Sequence, residues 1–592
     1  MNLSDRREWR GMVGYKPAPF GGVKSEIDDR RFFLSKEGKT NPQKELLATI
    51  DSFFAESFED NASLDARCIF TARWRFLKEA LEIDESRLTS VTCEAFEHWY
   101  NGVRGDRLIL IFPAAYMNNP ASAFGHTFLR IDKNESANAL TSYAINYEAF
   151  IPPSESDIMF VFKGLFGGYD GYFYALPYAQ KAKEYGDLEN RDIWEYELNF
   201  TTKEIDRLLF RAWELHNFSR DYYFFKENCS FVLLELLEYA KGDIDLTSRF
   251  TGFAAPIDTI RAVIGEPNML KSADFRPARS SRISRMARRG GDVIARSAFE
   301  IVRGEIAPNE AISAMDKESA IAALELAMEF AEYLNAEGEI APDLYKKRLF
   351  AIMGARSSLG LSAAPITPIT PRVRPDQGHR ISRVGAGAGY DKKPNANFKI
   401  RVSYHDMVDP SGDFAAGSSI SAGDLWIQSA DGATRIRKFT ALDMESFAPR
   451  DRFFSPISWR FGLGWKDNPP RLARNGYGYF KGGAGLGRGD ESAIVYLSAD
   501  AEAQTGGRLY KERGFYLGAS AGAIVTPSEK IRARLEAKQD YDLADRGKPR
   551  TTLKLEASCA LETNLALRFE FAGEKLDGSE LNEAFIFIDY FF

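Results

Sequence analysis

The chain changes its hydrophobic rhythm several times. Residues 43–104 space apolar side chains three and four apart, in "PQKELLATIDSFFAES" and again in "ASLDARCIFTARWRFLKEAL", and so predict helices. From 107 the period shortens: "RLILIFPAAY" reads as a buried strand, "MNNPASAFG" as a turn, and "HTFLRID", "LTSYAINYEAF" and "IWEYELNF" as further strands. Among them, "IMFVFKGLFGGYDGYFYALPY" is dense in Gly and aromatic residues. "TKEIDRLLFRAWELHNFS" is a helix capped by Thr201 or Thr202, and another helix opens at Cys229 in "KENCSFVLLELLEYAKG". Residues 245–360 return to helix, with a strong amphipathic period in "ESAIAALELAMEFAEYLNAE". Prolines at 365, 368, 371 and 375 then mark an extended linker.

From about 380 the texture is different again. Twelve strand-length segments follow one another, near 381–390, 396–404, 421–430, 433–443, 455–466, 476–487, 492–503, 512–523, 529–540, 549–560, 563–573 and 583–592. "FKIRVSYH" sets Phe398, Ile400, Val402 and Tyr404 against Lys399, Arg401, Ser403 and His405. "SWRFGLGW" sets Trp459, Phe461, Leu463 and Trp465 against Ser458 and Arg460. An even number of ~10-residue alternating strands with aromatic ends is the signature of a membrane barrel, with Phe398, Val402, Phe461 and Leu463 facing lipid. A soluble sandwich or barrel is the competing reading. The last residues, "FIFIDYFF", put Ile586, Ile588, Tyr590 and Phe592 at alternate positions and resemble the carboxyl-terminal signal that outer-membrane assembly machinery recognises. The expected fold class is thus α+β and multidomain: a helical region over 1–105, a mixed domain over 106–260, a helical bridge with its Pro-rich linker over 261–378, and an antiparallel barrel of about twelve strands over 379–592.

Composition narrows the function. A chain of 592 residues with 44% hydrophobic residues divides into several folded domains and is not disordered as a whole. Its formal charge of −7 gives no support to nucleic acid as a partner. Four cysteines, Cys68, Cys93, Cys229 and Cys559, are too few and scattered for a disulfide framework, and the five histidines form no metal-ligand spacing, so no metal or other cofactor is expected. Cys68 and His98, inside the helical block, read as structural. No apolar run is long enough for a membrane helix. The opening "MNLSDRREWRGMVGYK" has no apolar leader core, so a location in the envelope expects a signal peptide that was removed or lies outside this sequence.

Chemistry concentrates on Cys229. A thiol at a helix amino terminus sees the positive end of the dipole, and the terminus offers backbone N–H groups for an oxyanion. His126, in a Gly/Pro/Ser-rich turn that feeds a strand, is placed to be its base. Asn146, a polar residue within the apolar alternation of "SYAINYEA", is placed to orient the imidazole. Asn228, Gly167, Gly168 and Tyr169 are candidate substrate-binding residues, the last three as the lining of an acyl or peptide channel. Arg279 and Arg282, in the arginine stripe of "FRPARSSRISRMARR", are candidates for lipid phosphates. The competing readings are a tight hairpin for the glycines and a salt-bridged face for the arginines.

The order of a His strand followed by "NC" and an apolar helix resembles the circularly permuted papain-like enzymes, the NlpC-type peptidases and lecithin:retinol acyltransferase. More closely, "NNPASAFGHTFLRID", "SYAINYEA", "KGLFGGYDG", "RDIWEYELNFT" and "YYFFKENCSF" resemble the periplasmic domain of the Lnb-type lipoprotein N-acyltransferases over about 107–260. The resemblance implies a Cys229 nucleophile, a His126 base and an acyl-enzyme, with membrane phospholipid as donor and a lipoprotein or peptide amine as acceptor. Enzymes of that type carry helical membrane spans after this domain, where this chain carries the barrel pattern. Two other functions use the same residues: a cysteine amidase or peptidase acting on envelope peptides, and a non-catalytic outer-membrane scaffold.

Overall fold

The computed structural model describes the chain apart from residues 1, 56–64, 115–124, 135–137, 153, 156–158, 160–162, 165–166, 189, 361–370, 372, 411–413, 415, 468–475, 507–512, 546 and 577–578. The turn expected over "MNNPASAFG" and most of the Pro-rich linker lie outside the described residues. Two compact units form among the described residues, one over 2–114 and 125–279, the other over 280–592.

In the first unit, α1 (Arg7–Val13), a ribbon of β1 (Tyr15–Pro17) and β2 (Val23–Ser25), and helices α2 (Pro42–Phe54), α3 (Ala66–Ile69), α4 (Thr71–Ala80) and α5 (Glu94–Val103) enclose an aromatic core. Asn41 caps α2 by accepting the Lys44 N–H at 3.0 Å, and Pro42 supplies the first helical φ. The stretch whose period reads as one helix is two, broken at Phe70, where φ is −102° and ψ is 56°. Just before the break, Cys68, read from the sequence as a lone structural residue, is joined to Cys93 in a disulfide with Cα atoms 5.2 Å apart. A single pair leaves no spacing pattern in a sequence; only the fold brings the two together.

The rest of this unit is a seven-stranded antiparallel sheet with helices on it. Its strands are β3 (Arg107–Pro113), β4 (Phe128–Asp132), β5 (Tyr143–Ala149), β6 (Tyr169–Pro177), β7 (Ile193–Leu198), β8 (Arg220–Tyr222) and β9 (Leu270–Arg276), in the order β8-β6-β5-β4-β3-β7-β9. β4 is buried along its whole length, the mark of a strand covered on both faces. β9 lies within the segment read as helical; its half-exposed, polar "LKSADFR" joins the sheet edge beside β7. The helices are α6 (Tyr178–Lys183), α7 (Thr202–Leu215), α8 (Cys229–Lys241) and α9 (Pro256–Ile264). Thr201 and Glu204 form a reciprocal capping box at the start of α7. Phe210 of α7 belongs to the same core as Phe70 and Phe96, so the amino-terminal helices share one interior with a helix of the sheet domain.

The second unit opens with α10 (Arg279–Arg303), interrupted at Gly291 by a φ of 78°, then α11 (Pro308–Ala311), α12 (Lys317–Ala336) and α13 (Pro342–Ser358). Their core is built on Leu324, Ala327 and Phe330 of α12. Among the described residues no helix is long and apolar enough to cross a membrane.

The remaining strands are β10 (Arg383–Tyr390), β11 (Pro394–His405), β12 (Ser418–Ala430), β13 (Ala433–Ser446), a two-residue β14 (Pro449–Arg450), β15 (Ser458–Lys466), β16 (Tyr477–Gly489), β17 (Ala493–Thr505), β18 (Arg513–Ser528), β19 (Ile531–Asp542), β20 (Lys548–Glu562), β21 (Leu565–Leu576) and β22 (Ser579–Phe591). β10 pairs with β22 and β16 with β17, so twelve long antiparallel strands close into a barrel, and every segment expected from the alternation is found. Phe398, Val402, Leu463, Ile586 and Ile588 point outward and are exposed, whereas Lys399, Arg401 and Arg460 point inward and are buried. Charges inside and large apolar groups outside are what a barrel needs when hydrocarbon surrounds it.

One end of the barrel is filled. The segment after β11 folds into the lumen, where Asp409 accepts from Arg401 at 2.6 Å and Arg568 at 2.5 Å. Met407 reaches the opposite wall and packs with Phe447, Ile494, Tyr496 and Ile524. Phe447 stacks on Tyr496 at 3.8 Å, with Arg460 5.0 Å above its ring. Phe453, just before β15, inserts into the helical core beside Phe299 and Phe330 and ties the helices to this same end.

Candidate active site

Three elements meet at one thiol. His126 stands two residues ahead of β4, Asn146 lies on β5, and Cys229 is the first residue of α8, which packs on both strands. α8 starts there because Asn228 stops the backbone short of helical geometry. Its Oδ1 accepts the N–H groups of Ser230 and Phe231, each at 3.1 Å, and its Nδ2 donates to the carbonyls of Phe224 at 3.0 Å and Ala254 at 2.7 Å. The Asn228 amide is thereby committed to the protein and buried, so it fixes the cysteine and does not reach a substrate.

The same bonds correct a second expectation. The terminus holds no free N–H for an oxyanion, because the Cys229 N–H donates to Tyr222 Oη at 3.3 Å and the next two serve Asn228. The hydroxyl of Tyr222 stands beside the thiol in their place. Burial first, and then the charge of Cys229, push the Tyr222 phenol well above its ordinary range, so it keeps its proton.

His126 Nε2 and Asn146 Oδ1 are 2.9 Å apart. With an amide oxygen as partner, Nε2 carries the proton and Nδ1 is left as the basic atom. The ring and the Cys229 thiol act on each other's charge. Burial pushes the Cys229 thiol up, but the adjacent imidazole, the Thr127 N–H and the Ser230 hydroxyl more than offset it, and its pKa is lowered to about 7. Burial likewise works against the imidazolium, yet the thiolate, Glu148 and Asn146 raise His126 above its ordinary value. The pair favours thiolate and imidazolium together.

Two members of this site carry no motif. Glu148, on the same face of β5 as Asn146, accepts from Lys181 at 2.7 Å; burial raises its pKa, but Lys181 and His126 hold it below the usual range. The two-residue spacing in "INYEA" was the available signal. Tyr222 had none, since β8 is only three residues long. Gly167, Gly168 and Tyr169 shape the neighbouring strand: Tyr169 pairs with Tyr222 across β6 and β8. Gly167 holds a φ of +80°, and a Cβ there would lie 2.2 Å from the Tyr223 ring. Arg282 donates to Glu329 of α12 at 2.6 Å and Arg279 is the first residue of the same helix α10, so the arginine stripe lies on a helix face with Arg282 salt-bridged. No group of His, Cys, Asp and Glu arranged for a metal ion occurs among the described residues.

Residues 95–266 match the family model described as the Lnb N-terminal periplasmic domain. Residues 1–80, 273–368 and 372–591 match three models of domains of unknown function (DUF7843, DUF7842 and DUF7840). No curated protein matches the chain. Among solved structures, a KdgM porin in complex with disordered oligogalacturonate is 11% identical over 36% of this chain and 99% of its own, with a TM-score of 0.23. A NanC porin is 9% identical over 35% of this chain and 100% of its own, at 0.24. OmpT expressed in the outer membrane of Vibrio cholerae is 10% identical over 36% and 96%, at 0.19. The description of the barrel stands on its own strand pairing. The chain carries an Lnb N-terminal periplasmic domain joined, in one polypeptide, to a closed twelve-stranded β-barrel.

Proposed function

We propose that this cell-envelope protein is a thiol acyltransferase of the bacterial outer membrane, with the Cys229 domain in the periplasm. The observation that carries the reading is a buried thiol lowered to about 7 by an imidazole that is itself held by Asn146. In the first half-reaction the Cys229 thiolate attacks an ester carbonyl of a phospholipid. The carbon–oxygen ester bond breaks, a thioester forms, and His126 passes its proton to the leaving lysophospholipid oxygen. In the second, the amine of a lipoprotein or peptide attacks the thioester, His126 takes the amine proton, and an amide forms as the thiolate is released. The Tyr222 O–H, whose oxygen accepts the Cys229 N–H at 3.3 Å, serves as a donor to the oxyanion of each step. Membrane residence through the barrel favours a lipid donor, and the paired, aromatic carboxyl terminus suits recognition by the outer-membrane assembly machinery; the Phe592 N–H donates to Ser382 O at 2.9 Å.

Intact mass after incubation with phospholipid vesicles tests the reading. An acyl increment on the wild-type chain, absent from Cys229→Ala, is the expected result. A peptide-derived adduct on Cys229 replaces the transferase with an amidase or peptidase, and an inert thiol in both assays leaves a binding scaffold.

A further inference from the structure

Tyr222 reaches the thiol from β8, the edge strand of the seven-stranded sheet. On one side β8 pairs with β6, Arg220 with Gly171, Asp221 with Asp170 and Tyr222 with Tyr169. So short an edge is poorly held by its own ladder. Its open side is covered by residues 26–29 of the amino-terminal region, which take Ser219, Arg220 and Asp221 between them. The Asp29 N–H donates to the Ser219 carbonyl at 3.2 Å, and the Asp221 N–H donates to Asp28 Oδ2 at 3.0 Å. Arg220 is buried, its guanidinium 3.5 Å from Glu26, 3.6 Å from Glu227 and 2.6 Å from Glu235. Glu235 lies on α8, the helix that Cys229 opens. Just ahead of β8, the ring of Phe218 packs on Phe32 at 5.3 Å and on Phe70 at 5.8 Å. One arginine therefore joins the amino-terminal segment, β8 and the cysteine helix.

We propose that the amino-terminal region is a clamp on the active site: Glu26, Asp28 and Asp29 are positioning residues that hold β8, and with it the Tyr222 hydroxyl, against the reacting carbonyl. The proposal rests on the acyl-transfer reading, because only attack on a carbonyl puts an oxyanion in front of Tyr222. The Tyr222 oxygen accepts the Cys229 N–H at 3.3 Å, the long end of a hydrogen bond, so a small outward shift of β8 takes the hydroxyl out of reach. A misplacement of about 1 Å can cost ~10²-fold in rate. Cys229 is fixed separately, by the Asn228 cap of α8. Loosening the clamp should therefore spare the nucleophile and slow only a step that develops an oxyanion.

The test uses the full-length protein in a neutral detergent and two reagents, each read by peptide mass at Cys229. With p-nitrophenyl acetate the thiolate attacks the ester carbonyl, an oxyanion forms and collapses, and nitrophenolate leaves as the thioester is made. Iodoacetamide alkylates the same sulfur by displacing iodide, with no oxyanion. Glu26→Gln with Asp28→Ala should slow acylation about tenfold or more, up to the ~10²–10³ that Tyr222→Phe costs by removing the donor outright, while alkylation keeps its wild-type rate. Adding Tyr222→Phe to that pair should slow acylation no further than Tyr222→Phe alone, since both act through one hydroxyl. Asp28→Asn keeps an oxygen for the Asp221 N–H and should be acylated as wild type is. If the double variant does not fold, Asp28→Ala, at an exposed position, carries the test with an effect of about fivefold, the worth of one hydrogen bond. Wild-type acylation in these clamp variants, or equal slowing of acylation and alkylation, overturns the clamp and leaves the acyl-transfer reading standing. Wild-type protein that iodoacetamide labels but the ester does not acylate overturns that reading, and the clamp with it.

Discussion

β4 and β11 are both antiparallel strands with a charged residue among apolar ones, and they use the alternation in opposite senses. In β4, Phe128, Leu129 and Ile131 are all buried, so both faces are covered, and Arg130 is admitted only with Asp132 at 2.9 Å and Glu195 at 2.7 Å. In β11, Phe398 and Val402 are outside while Lys399 and Arg401 are inside. The rule common to both is that a buried charge must have a partner; which face the apolar groups take follows from what surrounds the fold. A protein interior covers β4 on both sides, and hydrocarbon on one side and paired charge on the other suit β11.

The largest effect is expected inside the barrel. Alternation alone makes Arg401→Val a mild change, since it removes a charge from a strand. The structure reverses that: Arg401 is fully buried and donates to Asp409 at 2.6 Å and Asp406 at 3.1 Å. Its loss breaks two buried ion pairs at once, leaving Asp406 and Asp409 with Arg383 and Arg568 alone, and should cost about 3–5 kcal/mol. Heat-induced unfolding of the purified barrel, followed by gel mobility, measures it. An unchanged midpoint would mean that the lumen is wet enough to solvate Asp409 and that the comparison with β4 is false.

Reduction of the Cys68–Cys93 bond sharpens the contrast from the other side. Opening a loop of 25 residues removes about 3.5 kcal/mol by the chain-entropy estimate, and only from the first unit. Full-length protein lacking both cysteines should show an earlier melting transition for its helical signal and an unaltered transition for the barrel.

Third in size is Val402→Arg. Turning a cation toward hydrocarbon costs about 2–4 kcal/mol near the membrane midplane and should lower the yield of membrane-assembled barrel. The same substitution on a water-facing strand would be nearly neutral, so a full yield would place β11 in water.

How far the sequence could go follows from the same contrast. The twelve strands were legible because period two is written in every one of them, from Phe398 and Lys399 to Ile588 and Asp589. β14, two residues long, has no period to show. β9 was hidden by "LKSADFR", whose polar residues suit a half-exposed sheet edge and equally a helix surface. Cys229, His126 and Asn146 were legible because each breaks its local pattern at an element boundary or within an apolar run. Tyr222 was not, because it serves the site by position in space, and Glu148 showed only in its two-residue spacing from Asn146. Asn228 was visible as polar but misread, since capping and substrate binding ask for the same residue type.

The smallest effects concern the thiol, and they test whether the covered interior of the first unit is what tunes it. Burial alone would push Cys229 above the ~8.5 of a free thiol; its pKa near 7 exists because His126 and, after it, the Thr127 N–H and Ser230 hydroxyl outweigh that burial. The rate of iodoacetamide labelling against pH should therefore have its midpoint near 7, read by mass at Cys229 with Cys68 and Cys93 closed in their disulfide. The sign then decides between causes. His126→Ala removes the leading opposing charge but leaves the burial, so the midpoint should rise above 8.5 and not merely return to it. Asn146→Ala removes only the acceptor at 2.9 Å that fixes the ring's tautomer, so the midpoint should rise by less, with labelling at high pH unchanged. Were Asn146→Ala to match His126→Ala, the amide would be holding the whole site in place, and its assignment as the partner of one ring nitrogen would fail.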